Sequence, residues 1–127
     1  MKKLFTGQAT ITFVLTADDI DDIMTCALEG GINYWCSKAK VVGEYRGEYA
    51  SEQISRGGTL ELYDSGEDEV YELNIEKFMQ GFKTWIENGY DYNGALSTNG
   101  KVDTSLIDAN DADTIIQFSL FDEIVYG

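Results

Sequence analysis

Arg46 and Arg56 are the only arginines in a chain that carries 23 acidic residues. A guanidinium is planar and donates in pairs, so it suits bidentate contact with a carboxylate or phosphate. Tyr34 and Trp35, which follow Gly30-Gly31, supply aromatic faces near them in sequence. If folding brings either arginine near Tyr34 or Trp35, an aromatic-plus-arginine pocket for a small planar anion is expected. The other reading is plainer: Trp35 belongs to the core, and the arginines pair with surface acids.

The run Asp108-Ala109-Asn110-Asp111-Ala112-Asp113 has the look of a calcium loop but fails its template. Ala112 stands at the fifth position, Asp113 replaces the glycine at the sixth, and Ser119 replaces the glutamate at the twelfth. An acidic helix-capping turn accounts for it better. Gly30-Gly31 and Gly57-Gly58 match neither the GxGxxG nor the P-loop pattern, and Gly31 follows a helix instead of opening one. The chain has no histidine and two cysteines, Cys26 and Cys36. A Ser-His-Asp or Cys-His set, a histidine-ligated zinc and a four-cysteine zinc site are therefore excluded. No spacing singles out a working carboxylate pair. The expectation is a protein that is not an enzyme, with no cofactor and no metal.

Nine basic residues against 23 acidic ones give a net charge of −14. Such a field repels phosphates and attracts basic surfaces, so direct binding to nucleic acid or to an anionic membrane is not expected. An acidic face could compete with nucleic acid for a basic nucleic-acid-binding protein, or it could simply keep the protein soluble. Glu67, Asp68 and Glu69, at the tip of a predicted hairpin, are the candidate protein-binding acids. No run approaches the roughly 18 apolar residues of a membrane span, and the first residues lack the apolar core of a signal peptide. With too few cysteines for a disulfide framework, free thiols and a cytoplasmic setting are expected.

The elements that must position these residues are legible in the periodicity. Residues 8–15 alternate as a strand does. Thr16 caps a helix with Ile20, Ile23, Met24, Ala27 and Leu28 on one face, Asp18, Asp19, Asp21 and Asp22 in its first two turns, and Gly30-Gly31 as a left-handed stop. Residues 32–42 read as a second strand. A helical turn is expected at residues 50–54, and Thr59–Tyr63 and Glu69–Leu73 form a hairpin. Asn74 caps a helix bearing Ile75, Phe78, Met79, Phe82, Trp85 and Ile86, which Asn88-Gly89 ends. Gly81 inside it points to close packing against a neighbour, since glycine costs a helix interior about 1 kcal/mol against alanine. Residues 89–104 form a loop with turns at Asn93-Gly94 and Asn99-Gly100. Asp108 or Asn110 caps a last helix with Ala112, Ile115, Ile116, Ser119 and Leu120 on one face. The whole, residues 1–127, is one α+β domain: a small, mostly antiparallel sheet with about three helices packed on it.

Three stretches carry a resemblance: residues 27–35 (ALEGGINYW), 49–58 (YASEQISRGG) and 111–127 (DADTIIQFSLFDEIVYG). They resemble a family of small proteins of tailed bacteriophages and prophages, and the likeness spans nearly the whole chain. The family carries a small residue and a glycine in the last motif where this chain has Ser119 and Asp122. The resemblance implies a phage setting and no catalytic residue. Three functions follow as expectations: a stoichiometric inhibitor of a host defence system that presents an acidic, nucleic-acid-mimicking surface to a basic host protein; a sponge for a small nucleotide-type defence signal, through Tyr34, Trp35, Arg46 and Arg56; or a phage housekeeping protein. Self-association is left open.

Overall fold

The computed structural model describes Phe5, Thr10 and residues 12–127. The fold is α+β: among these residues there are three α-helices and a three-stranded antiparallel sheet in the order β1-β2-β3. Helix α1 (Ala17–Cys26) begins at a reciprocal cap, in which Thr16 Oγ1 accepts from the Asp19 amide and the Asp19 carboxylate accepts from the Thr16 amide, both at 3.0 Å. Ile20, Ile23 and Met24 turn inward. The helix then widens into a π-helical turn, Ala27–Gly31, closed by the Ile32 amide on the Ala27 carbonyl at 3.0 Å.

This ending differs from the expected left-handed glycine stop. Neither Gly30 nor Gly31 has positive φ. Gly31 is glycine for another reason: a Cβ there would stand 2.6 Å from the Ala109 carbonyl oxygen at the start of the third helix. Leu28 is half-buried, because the wider turn swings it off the stripe that Ala27 still occupies.

The second predicted strand is shorter than its composition implied. Ile32–Trp35 is a turn, with the Trp35 and Cys36 amides both bonded to the Ile32 carbonyl. β1 spans Cys36–Val41, β2 Leu60–Asp64 and β3 Val70–Leu73. Val41, Leu60 and Leu73 line up across the sheet, as do Ala39, Leu62 and Tyr71. These two rows face the core, while Lys40-Glu61-Glu72 and Lys38-Tyr63-Val70 face outward, the alternation that antiparallel strands with one wet face require. Part of the first predicted strand, residues 8, 9 and 11, lies outside the described residues. Of residues 12–15, Val14 alone forms a β-bridge, to Lys101.

Helix α2 (Ile75–Glu87) opens at Asn74, whose side chain accepts from the Lys77 amide, and buries Phe78, Phe82 and Trp85. Helix α3 (Ala109–Phe121) opens at a second reciprocal cap, Asp108 with Asp111, and ends at Asp122 in the left-handed conformation, φ 58°. The two helices meet at Gly81 and Ser119. A Cβ at Gly81 would stand 2.5 Å from the Ser119 Cα, so only glycine allows this approach. Trp85 adds a bond from its indole N–H to Thr114 Oγ1 at 3.0 Å. Between the helices, the segment read as an open loop carries an antiparallel bridge between Leu96 and Val102 and a short 3-10 turn at Thr104–Leu106. Asp91 organises it by accepting from the Ala95 and Leu96 amides.

Candidate protein-binding surface

Asp64 ties the backbone of the hairpin between β2 and β3. Asp64 Oδ1 accepts from the Asp68 amide at 2.9 Å and the Glu69 amide at 3.3 Å, and the Asp64 carbonyl accepts from the Glu67 amide. Glu67 takes the left-handed conformation, φ 57°, that the tight turn demands. Glu67, Asp68 and Glu69 are all exposed, and none forms an ion pair among the described residues. Below them on the outer sheet face, Glu72 stands directly opposite Glu61. Like charges placed across a strand pair repel, so this pairing is set by the buried residues between them and not by the acids themselves.

Among the described residues, negative charge is barely cancelled by close pairing. Among the described residues the one ion pair within 4 Å joins Arg56 to Glu52, at 3.4 Å. Lys77 donates to the Glu72 carbonyl, and Lys38 lies over the Tyr63 ring, 4.3 Å from its centre. Exposed acids left this way project their field into solvent out to the screening length.

The four residues of the predicted anion pocket separate. Trp35 is 2 % exposed, gives its indole N–H to Asp113 Oδ1 at 2.7 Å, and stacks on Tyr126 with ring centres 4.7 Å apart and planes 2° from parallel. Tyr34 donates its hydroxyl to Asp113 Oδ2 at 2.6 Å while the rest of its side chain is exposed. Arg46 and Arg56 lie instead along the irregular stretch 42–58. No hydrogen bond, ion pair or cation–π contact joins either arginine to Tyr34 or Trp35.

What sequence reasoning missed is the network under Tyr34 and Trp35. Asp113 is 7 % exposed and has no cationic partner among the described residues, yet its two oxygens receive Tyr34, Trp35 and the Gln117 amide. Gln117 is fully buried; it donates also to the Tyr126 carbonyl and accepts the Val125 and Tyr126 amides at 2.8 Å each. A buried carboxylate and a buried amide are tolerated because every polar atom is satisfied. Tyr126 closes the cluster through a hydroxyl–hydroxyl bond to Tyr71 at 3.0 Å. Burial, then the bond to Asp113, pushes the Tyr34 phenol up to about 12. The bond to Tyr126, then burial, does the same for Tyr71, also to about 12. The one signal in the sequence was Gln117 itself, a polar residue inside the run Ile115-Ile116-Gln117-Phe118. Residues 27–35 and 111–127, far apart in the chain, thus meet in one hydrogen-bonded unit.

Asp108 and Asp111 work as helix caps. Asp108 Oδ1 accepts from the Asp111 amide at 2.9 Å, and Asp111 Oδ2 from the Asp108 amide at 3.1 Å. Burial, and then the neighbouring Asp108 charge, raise the Asp111 carboxyl above its ordinary value. Among the described residues no group of three or more metal-ligating side chains gathers, and no helix is long and apolar enough to cross a membrane. No protein-family model, curated protein or solved structure matches the chain.

Proposed function

We propose that this protein acts by stoichiometric binding, presenting the acids of the β2–β3 hairpin to a basic surface on a nucleic-acid-binding protein. The observation that carries this reading is the hairpin tip: three consecutive acids, exposed, without an ion pair among the described residues, on a backbone tied by the Asp64 bonds. A turn whose backbone is already hydrogen-bonded loses less backbone entropy on binding, and its carboxylates offer oxyanions where a nucleic acid offers phosphates. The net charge of −14 adds long-range attraction for a basic partner. The resemblance to phage proteins sets the context, in which a host defence protein is the partner and its inhibition the outcome.

The sponge reading loses its support, since the arginines and the Tyr34–Trp35 pair form no common pocket. The test of the main reading uses the full chain and a candidate basic partner. Affinity should fall steeply as salt rises, DNA or RNA should compete, and reversing Glu67, Asp68 and Glu69 to lysine should slow association more than it speeds release. Binding that ignores both salt and the triple reversal would exclude it.

A further inference from the structure

Two acids are buried among the described residues, Asp111 at 8 % exposure and Asp113 at 7 %, and their oxygens are satisfied differently. Asp113 receives three side-chain donors on its two oxygens. Asp111 Oδ2 accepts the Asp108 amide at 3.1 Å and the Asn93 side-chain amide at 3.4 Å, but Oδ1 accepts from no donor among the described residues. No buried side-chain oxygen there lacks a partner, so Asp111 Oδ1 reaches solvent. Asp108 divides its carboxylate the same way: Oδ1 accepts the Asp111 amide at 2.9 Å, and Oδ2 accepts from none. The reciprocal cap thus uses one oxygen of each carboxylate and leaves the other open.

Both residues line one cleft of about 320 Å³, together with Tyr90, Tyr92, Asn93 and Thr114. That volume is on the scale of a small-molecule site. Tyr92 is 80 % exposed, and its ring centre lies 6.1 Å from that of Tyr90, with planes 44° apart. Tyr90 is itself fixed by Phe118, edge to face at 5.0 Å. No lysine or arginine lines the cleft, and none pairs with Asp108 or Asp111 among the described residues. Unpaired acids on the surface are hydrated and need no partner. A carboxylate nine-tenths buried beside a second one is short of positive charge.

We propose that this cleft binds an organic cation with a guanidinium head, which donates to Asp111 Oδ1 and Asp108 Oδ2 while its plane lies on a tyrosine ring. A guanidinium carries five donors in a flat fork, so it can serve two carboxylate oxygens and stack at the same time. The faces of tyrosine rings attract cations, most strongly where water is displaced. The net charge of −14 concentrates cations around the whole molecule. A metal ion fits less well, since no three metal-ligating side chains gather among the described residues. A bound cation would also offset the burial and the Asp108 charge that raise the Asp111 carboxyl. The hairpin acids Glu67, Asp68 and Glu69 do not line this cleft, so the two surfaces can be tested apart.

The test titrates the intact chain with butylguanidinium, its neutral isostere butylurea, and calcium, following the Tyr90 ring and Thr114 amide resonances. Butylguanidinium should shift them to saturation, and butylurea should not. Affinity should fall roughly tenfold or more in Asp111→Asn, the loss expected for a hydrogen bond to a charged group. It should fall in Tyr92→Ala and persist in Tyr92→Phe, which keeps the ring. Asparagine still accepts the capping amide, so the fold should hold; Tyr92, being exposed, gives a variant that cannot act through misfolding. Reversing Glu67, Asp68 and Glu69 to lysine should change the affinity far less than Asp111→Asn does. An equal loss in the two would mark a diffuse counter-ion effect and overturn the proposal. So would shifts with butylurea, or calcium moving these resonances while butylguanidinium does not. A short arginine peptide that binds more tightly than butylguanidinium would place the cation on a partner protein, and one that binds no better would place it on a free small molecule.

Discussion

Trp35 and Asp113, 78 residues apart in the chain, meet at 2.7 Å through the indole N–H and one carboxylate oxygen. The bond is buried and couples the turn after α1 to the second turn of α3. Its strength has a direct consequence. Asp113→Ala strands the Trp35 donor away from water, and the unmade bond costs roughly 1–3 kcal/mol. Denaturant unfolding should register that loss. In a Trp35→Phe background, where no donor remains, the same change should cost clearly less, and additive losses would show that the bond contributes little.

Gly30 and Gly31 are neighbours with opposite tolerance. A Cβ on Gly30 meets nothing within 4 Å, whereas one on Gly31 collides with the Ala109 carbonyl at 2.6 Å. Gly30→Ala should leave the unfolding midpoint unchanged or raise it by less than about 1 kcal/mol equivalent, since alanine has less freedom to lose. Gly31→Ala should lower stability by about 1–3 kcal/mol, the scale of overpacking. Equal effects would mean that α3 does not start against this turn.

High pH should loosen the fold through two phenols. Tyr34 and Tyr71 keep their protons up to about 12, while an unfolded tyrosine releases its own near 10. A raised folded-state pKa means that this stabilisation is complete below about pH 10 and disappears as pH rises toward about 12. Ultraviolet titration of phenolate should resolve a late-ionising component, reduced in Tyr34→Phe and in Tyr71→Phe. A titration with no late component would contradict the bonds to Asp113 and Tyr126.

Both thiols should resist alkylation in the folded protein. Burial raises Cys36, and burial followed by the charges of Asp108 and Asp111 raises Cys26. Less thiolate at neutral pH means slower reaction. Cys36, buried, should label more slowly than half-buried Cys26. Unfolding without reductant should expose two labelled cysteines by mass, and a mass two daltons short with no label would reveal a disulfide.

Local rules carried much of this protein in the sequence. The caps at Thr16, Asn74 and Asp108, the apolar stripes of the helices and the alternation of the β2–β3 hairpin all act between residues a few positions apart, so one chain suffices to read them. Gly81 was legible as a contact because a glycine inside a helix needs a reason, and Ser119 is that reason. Charge was legible too, as a total. Its arrangement was not: which acids stay unpaired depends on where seven described lysines and arginines land after folding. The glycine pair after α1 read as a left-handed stop because sequence shows a residue's freedom and not its neighbours; only packing shows Gly31 pressed against Ala109. Trp35 and Arg46 looked like partners through composition alone. Tertiary structure put Trp35 under Asp113 and Tyr126 and left Arg46 on the surface, since the buried indole found a carboxylate from α3, a contact that no short-range pattern encodes.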